Sequence, residues 1–186
     1  LAFAADTTGW LFAWAENADR VLAKRWLFND TMPDSSPALT VSSSDSTSRA
    51  DLNVVFDGKQ TTVAWLEEPF FVSSHIQAVL FANGASVPSA PSFALESAFA
   101  PKQNLRMASD EKGVLVAVWA SFAGSGRREI RAKVIPRDAI PNQDSSSIAV
   151  APPSEDDNAY PSVAYANDSE SFAIAWSRRR GASDWD

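Results

Sequence analysis

The chain consists of short apolar runs separated by clusters of polar and turn-forming residues. The runs are four to seven residues long, rich in Val, Ile, Phe and Trp, and bounded by Asp, Ser, Gly and Pro. Such runs are typical of β-strands, and no long window has the periodicity of a helix. Four runs end in a tryptophan, and these residues lie 51, 54 and 57 positions apart: Trp14, Trp65, Trp119 and Trp176. The pattern predicts an all-β fold built from repeats.

Each repeat contains the same four strands. The first ends at an acidic residue, the second ends at the Trp, the third reads apolar-x-Ala, and the fourth is a short apolar run. A second strand that is apolar at nearly every position predicts burial on both faces. The residue before each Trp is small, as expected where a neighbouring sheet packs closely. The acidic residues are Asp6, Asp57, Asp110 and Asp168, and the third strands begin their motif at Val21, Ile76 and Ile130. The fourth strands are 38–41, 93–96 and 147–150, and the small residues before the Trp are Ala13, Ala64, Val118 and Ala175.

Four-stranded antiparallel sheets, each covered by the next copy, are the blades of a β-propeller. We therefore predict a β-propeller of about three and a half four-stranded antiparallel blades, with a period near 54 residues. The expected blade units are 1–50, 51–103, 104–160 and an incomplete 161–186. Counting from the earlier repeats puts the third strand of the last unit at residue 187. This spacing predicts part of a larger propeller, in which the remaining blades or a partner chain complete the fold.

Two stretches carry a family resemblance: Tyr-Pro-Ser-Val-Ala-Tyr at 160–165 leading to Trp176, and Glu-Ile-Arg-Ala at 129–132. They resemble the degenerate propeller repeats of large bacterial secreted and cell-surface proteins. The Gly-Gly pair of kelch repeats, the Gly-His and Trp-Asp signature of WD repeats and the Asp-box of sialidases are not present in the required form. The resemblance implies an extracellular or cell-surface location and an architecture, but no particular activity.

Composition and charge limit the partners, metals and cofactors that can be expected. With 16 Lys and Arg against 23 Asp and Glu, the net charge of −7 argues against nucleic acid as a partner. No stretch is long and apolar enough for a membrane span, and zero cysteines exclude disulfides. His75 is the one histidine, and the acidic clusters Glu67-Glu68 and 155–157 lack calcium-loop spacing, so no metal and no cofactor is predicted. The repeated aspartates either cap turns or form a cation-binding ring, and capping is favoured.

Five arginines fall in loops that the repeat places at equivalent positions of adjacent blades: Arg127, Arg128, Arg178, Arg179 and Arg180. Stacked blades would bring them together into a basic patch, and guanidinium groups bind carboxylates or sulfates bidentately. The alternative is solvated loop charge, paired with Glu155, Asp156, Asp157 or Asp184.

Aromatic residues occupy the same set of loops. Phe70 and Phe71, together with Phe122, either form a platform for sugar stacking or protein contact or pack into the blade interface. With the five arginines, these three complete the candidate ligand-binding residues. No catalytic residue is predicted.

These observations favour a non-catalytic binding or scaffolding portion of a large extracellular or surface protein, which recognises a glycan or a protein through its loop face. The alternative is part of a propeller glycan-active enzyme, sialidase- or lyase-like, with its active site in blades not present in this sequence. The missing Asp-boxes and the lack of a convergent acid, arginine and tyrosine set argue against the enzyme. A third interpretation is a structural spacer whose arginine patch has no function.

Overall fold

A computed structural model of the chain describes residues 1–30, 37–43, 47–69, 73–97, 100–122, 126–136, 146–153, 157–180 and 184–185. Sheet 1 contains β1 (Ala2–Ala5), β2 (Gly9–Glu16), β3 (Arg20–Leu27) and β4 (Leu39–Ser43), and sheet 2 contains β5 (Thr47–Phe56), β6 (Gln60–Pro69), β7 (His75–Ala82) and β8 (Phe93–Glu96). Sheet 3 contains β9 (Lys102–Ser109), β10 (Val114–Phe122), β11 (Arg128–Pro136) and β12 (Ile148–Ala151). Sheet 4 contains β13 (Asp157–Ala166), β14 (Ser171–Arg180) and β15 (Asp184–Trp185), with a single 3-10 turn at Asn167–Ser169.

Each sheet is an antiparallel meander whose strands pair in chain order. The all-β class is confirmed, and sheets 1 to 3 have the four-stranded repeat. The expected start of the last sheet's third strand at residue 187 is wrong, because Asp184 already pairs with Arg180. The reason is visible in sheet 1, where Arg20, the residue before the apolar-x-Ala motif, pairs with Glu16. Polar residues that precede the motif therefore belong to the strand.

The first strands of sheets 2, 3 and 4 begin before their apolar runs, because pairing continues through a β-bulge into polar residues. At each bulge one residue adopts a positive φ: Asp51 at 49°, Asn104 at 58° and Tyr160 at 52°. The Asp51 carboxylate accepts a hydrogen bond from the Asn104 backbone N–H, which links sheet 2 to sheet 3. The bulge thus recurs with the repeat and helps to join successive sheets.

The sheets stack face to face in chain order, and hydrophobic clusters fill the spaces between them. Side chains alternate between the two faces of a strand, so an inner sheet contributes to the cluster on each side. Between sheets 1 and 2 lie Leu11, Ala13, Val21 and Ala23 against Val63, Trp65, Val79 and Phe81. Between sheets 2 and 3 lie Ala64, Leu66, Ile76 and Ala78 against Leu105, Leu115, Ala117 and Trp119. Between sheets 3 and 4 lie Val116, Val118 and Ala132 against Val163, Phe172 and Ile174.

Trp65 and Trp119 pack onto the preceding sheet, but the four repeat tryptophans are not all core residues, as the periodicity suggests they should be. Trp65 and Trp119 are 1% and 0% exposed, whereas Trp14 is half-buried and Trp176 is 38% exposed. Trp14 lies on the face of sheet 1 that has no preceding sheet in the described structure. Trp176 lies beside an open edge, because the two-residue β15 pairs with positions 179 and 180 only. Burial is therefore confirmed for the two inner sheets.

Aspartates cap the turns that follow the first strands. One carboxylate oxygen of Asp6, Asp57 and Asp110 accepts backbone N–H bonds from residues two and three positions later, at 2.8–3.1 Å. These contacts confirm the capping interpretation for the first three sheets. Asp168 instead lies inside the 3-10 turn of sheet 4. Among the described residues there is no helix that is long and apolar enough to cross a membrane.

Candidate functional site

One corner of sheets 3 and 4 gathers most of the arginines that the sequence analysis singles out. The β10–β11 hairpin brings Phe122 opposite Arg128, and the β13–β14 pairing brings Asp157 opposite Arg179. Asn158 lies opposite Arg178 one position further along. We refer to Arg127, Arg128, Asp157, Arg178 and Arg179 as the arginine corner.

An ion pair between Arg128 and Asp157 holds the corner together. Arg128 Nε lies 2.9 Å from Asp157 Oδ1, its Nη2 contacts Oδ2, and its backbone N–H donates to Oδ1 at 3.0 Å. The guanidinium hydrogen bond lowers the pKa of Asp157 further than burial raises it, and the charge of Arg179 acts in the same direction. The bond to Asp157 likewise raises the pKa of Arg128. The Arg128 guanidinium of sheet 3 is therefore bound to a carboxylate of sheet 4, and Arg179 lies at the paired position of β14.

Polar and aromatic side chains surround this ion pair. The Arg128 guanidinium carbon lies 5.8 Å from the centre of the half-buried Phe122 ring, within cation–π range. The Asn158 amide donates to the Arg128 carbonyl at 3.3 Å, and Arg128 Nη1 reaches Gln103 Oε1 at 3.4 Å. Tyr160, at the bulge of β13 two residues after Asn158, is 60% exposed. Arg128 is thus fixed in orientation by its neighbours.

The expectation that the site residues lie in loops is wrong for most of the described ones, because the strands extend beyond the apolar runs: Phe122 ends β10, Arg128 begins β11 and Arg178 to Arg180 end β14, whereas Arg127 precedes β11. Arg127 and Arg178 are exposed, whereas Arg128 and Arg179 are partly buried. Arg180 ends β14, and its side chain lies outside the described residues, as do Phe70 and Phe71. The pairing of Arg128 with Asp157 is one of the pairings expected under the solvated-charge interpretation. Arg128 therefore holds the arginine corner together through Asp157, whereas the side chains of Arg127 and Arg178 are exposed to solvent.

Sequence reasoning missed a series of buried donors at the start of the first strands. Arg49, Lys102 and Asn158 are 4%, 1% and 3% exposed, and each donates to a carbonyl in the preceding sheet. The acceptors are Asp19, Ser74 and Arg128, near the link between second and third strands. Burial lowers the pKa of Lys102. Their spacing of 53 and 56 residues matches the repeat and would have revealed them.

The corner offers positive charge and aromatic surface. Within the described residues no three His, Asp or Glu side chains lie close enough together to hold a metal ion. Its arginines suit an anionic group, since a guanidinium presents paired N–H donors to a carboxylate, sulfate or phosphate.

A comparison of the chain with models of protein families finds no match, and a search of the curated proteins finds none either.

Proposed function

We propose that the four sheets are consecutive blades of a β-propeller and that the chain is a non-catalytic binding portion of a large extracellular or cell-surface protein. Its ligand is an anionic group of a glycan or a protein, bound at the arginine corner. The observation that carries the proposal is the ion pair between Arg128 of sheet 3 and Asp157 of sheet 4, with Arg179 opposite Asp157 in the β13–β14 pairing. The stacked four-stranded repeat supports the propeller.

The charge distribution supports an anionic ligand. The whole chain has a net charge of −7, yet the corner carries four arginines beside the carboxylate of Asp157. Asp157 fixes Arg128, while Arg127 and Arg178 remain accessible to solvent. Arginines clustered at one place on an acidic protein attract anions to that place. The exposed Tyr160 ring adds a surface against which a sugar or a peptide side chain can pack.

The test is binding of a sulfated glycosaminoglycan and of polygalacturonate, with neutral dextran as the reference. The double variant Arg127→Ser/Arg178→Ser removes the two exposed charges and leaves the Arg128–Asp157 pair in place. We expect it to weaken binding of at least one acidic polysaccharide about tenfold or more, corresponding to the loss of two charge-assisted contacts. The measurement is isothermal titration calorimetry at fixed ionic strength.

A matched control removes two charges elsewhere. Lys59→Ser/Lys112→Ser makes the same change in net charge at two exposed positions in the turns that follow first strands. Equal losses in the two double variants would mean that binding is non-specific, and unchanged binding in the arginine variant would refute the site. Release of shortened products during incubation with either polysaccharide would instead favour the glycan-active enzyme.

A further inference from the structure

The arginine corner already holds an anionic group, which belongs to the chain itself. Both carboxylate oxygens of Asp157 bind the Arg128 guanidinium: Oδ1 lies 2.9 Å from Nε, and Oδ2 contacts Nη2. Oδ1 also accepts the Arg128 backbone N–H at 3.0 Å. A guanidinium makes the same paired contact with the carboxylate or sulfate of a ligand. Asp157 therefore occupies the place on Arg128 that an anionic ligand group would take.

This ion pair is open to solvent at its edge. The side chains of Arg128 and Asp157 are 14% and 26% exposed, whereas those of the other buried arginine pair, Arg25 and Asp6, are 2% and 1% exposed. The Arg128–Asp157 pair lies at the contact between sheets 3 and 4 and not on an outer face of the stack. A small anion in solution can thus reach the guanidinium that Asp157 occupies.

Arg128 is held in place by further contacts that do not involve Asp157. Its Nη1 lies 3.4 Å from Gln103 Oε1, and its guanidinium carbon lies 5.8 Å from the centre of the Phe122 ring. Its backbone pairs with Phe122 across the β10–β11 hairpin, and its carbonyl accepts the Asn158 amide at 3.3 Å. Removal of the Asp157 carboxylate should therefore vacate the N–H donors of Arg128 and leave its guanidinium where it is.

We propose that Asp157 determines which anions the arginine corner binds, by acting as an internal competitor for Arg128. The inference rests on the proposed binding of anions at this corner. A tethered carboxylate acts at a high effective concentration, so a single carboxylate or sulfate in solution does not displace it. The exposed Arg127 and Arg178 bind a single anion weakly, as exposed ion pairs do. A ligand with several anionic groups engages both at once, and the corner is therefore selective for polyanions.

The first test is rescue of a variant by a single anion. Asp157→Ala removes the carboxylate, so added sodium acetate can bind Arg128 in its place and stabilise the folded variant. We expect acetate to raise the melting temperature of Asp157→Ala by several degrees relative to chloride at the same ionic strength. The wild type and Glu111→Ala, which loses a carboxylate in the β9–β10 turn, should show no such shift. The measurement is differential scanning calorimetry.

The second test is the affinity for a polyanion. Asp157→Asn keeps an oxygen that can accept the Arg128 backbone N–H and removes only the negative charge. We expect this variant to bind a sulfated glycosaminoglycan about threefold or more tightly than the wild type in isothermal titration calorimetry, because a repulsive charge is lost. A residue that merely positions Arg128 for the ligand would give the opposite result, weaker binding. This test decides alone if circular dichroism shows that Asp157→Ala is unfolded.

Two results would overturn the inference: a folded Asp157→Ala variant that responds to acetate no more than the wild type, or weakened or unchanged glycosaminoglycan binding by Asp157→Asn. With either result, wild-type binding that is lost in Arg127→Ser/Arg178→Ser would leave the proposed function standing. A wild-type chain that binds no acidic polysaccharide would refute the proposed function. Rescue by acetate in that case would still support the occupation of an anion site by Asp157.

Discussion

Asp6 both caps a turn and forms an ion pair, and a single substitution can remove the ion pair while keeping the cap. Its Oδ1 caps the β1–β2 turn through the Thr8 and Gly9 N–H groups, while Oδ2 lies 2.6 Å from Arg25 Nη1 in a pair with side chains 1% and 2% exposed. Arg25 Nε also donates to the Ala85 carbonyl of sheet 2 at 2.8 Å. Burial alone raises the pKa of Asp6, but the hydrogen bonds from Thr8 and Arg25 outweigh it and hold the pKa below its ordinary value of 3.8.

Asp6→Asn is expected to lower the free energy of unfolding by about 3 kcal/mol at neutral pH, because the cap remains while Arg25 loses its buried counter-ion. A carboxylate with a lowered folded-state pKa stabilises the fold above its unfolded pKa, and this contribution disappears as the pH falls through the folded pKa. The difference between wild type and variant should therefore shrink below pH 3.8. The measurement is the free energy of unfolding in urea of wild type and variant, at neutral and at strongly acidic pH.

Asp110→Asn is the matched control for this change. Asp110 caps the equivalent turn of sheet 3 through three backbone N–H groups, and no ion pair to an arginine is found for it among the described contacts. Its substitution should cost about 1 kcal/mol or less. Equal costs at the two positions, or a cost at Asp6 that does not change with pH, would contradict the role given to the ion pair.

The turn residues show what the sequence can and cannot predict at this scale. Asp at a hairpin corner predicts capping because the interaction is local. A Gly three residues after it predicts a positive φ in the turn, and Gly113 has a φ of 117°. Gly9 has the same spacing from Asp6 but no positive φ, so this reasoning is wrong there. An added Cβ at Gly9 would instead lie 2.2 Å from the Trp26 carbonyl oxygen. The close approach of β3 to Gly9 is a long-range fact that a local motif does not contain.

At the scale of single elements, burial depends on the position of a strand in the stack. β10 is buried at nearly every position, while β2 alternates between buried and more exposed residues. The apolar run itself is similar in both, so the sequence predicts the strand but not how many of its faces are covered. The buried donors Arg49, Lys102 and Asn158 escape prediction for a related reason, since polar residues outside apolar runs carry no burial signal.

The tryptophan series tests this dependence directly. Trp119→Ala is expected to cost about 3–5 kcal/mol, as for a large truncation in a core. Trp176→Ala, at the same repeat position but 38% exposed, should cost less than half of that amount. The measurement is the urea midpoint of each variant relative to the wild type. Similar shifts for the two variants, or an unmoved midpoint for Trp119→Ala, would contradict the difference in packing.

At the scale of the whole molecule, the chain is a stack whose two inner sheets are covered on both faces. The 54-residue period predicts the repeat and the order of the strands within each sheet, because these follow from a local pattern repeated in the sequence. The candidate site was predictable only in part. The repeat correctly puts Arg128 and Arg179 in adjacent sheets, although in strands and not in loops. The pairing of Arg128 with Asp157 depends on side chains that meet across two sheets and was not predictable from the repeat.

The outer faces at the two ends of the stack differ in the size of their side chains. Large aromatic residues lie on the outer face of sheet 1 and small residues on the outer face of sheet 4, so both ends have the surfaces that join sheets internally.

Hydrogen–deuterium exchange, followed by mass spectrometry at a concentration where the chain is monomeric, tests the stack most directly. Amides of β6 and β10, the second strands of the inner sheets, should exchange slowest, because their hydrogen bonds are shielded on both faces. Amides of β1 and β14 should exchange much faster. Uniform protection across the four sheets, or strongest protection in sheet 1 or sheet 4, would contradict the consecutive stacking on which this account rests.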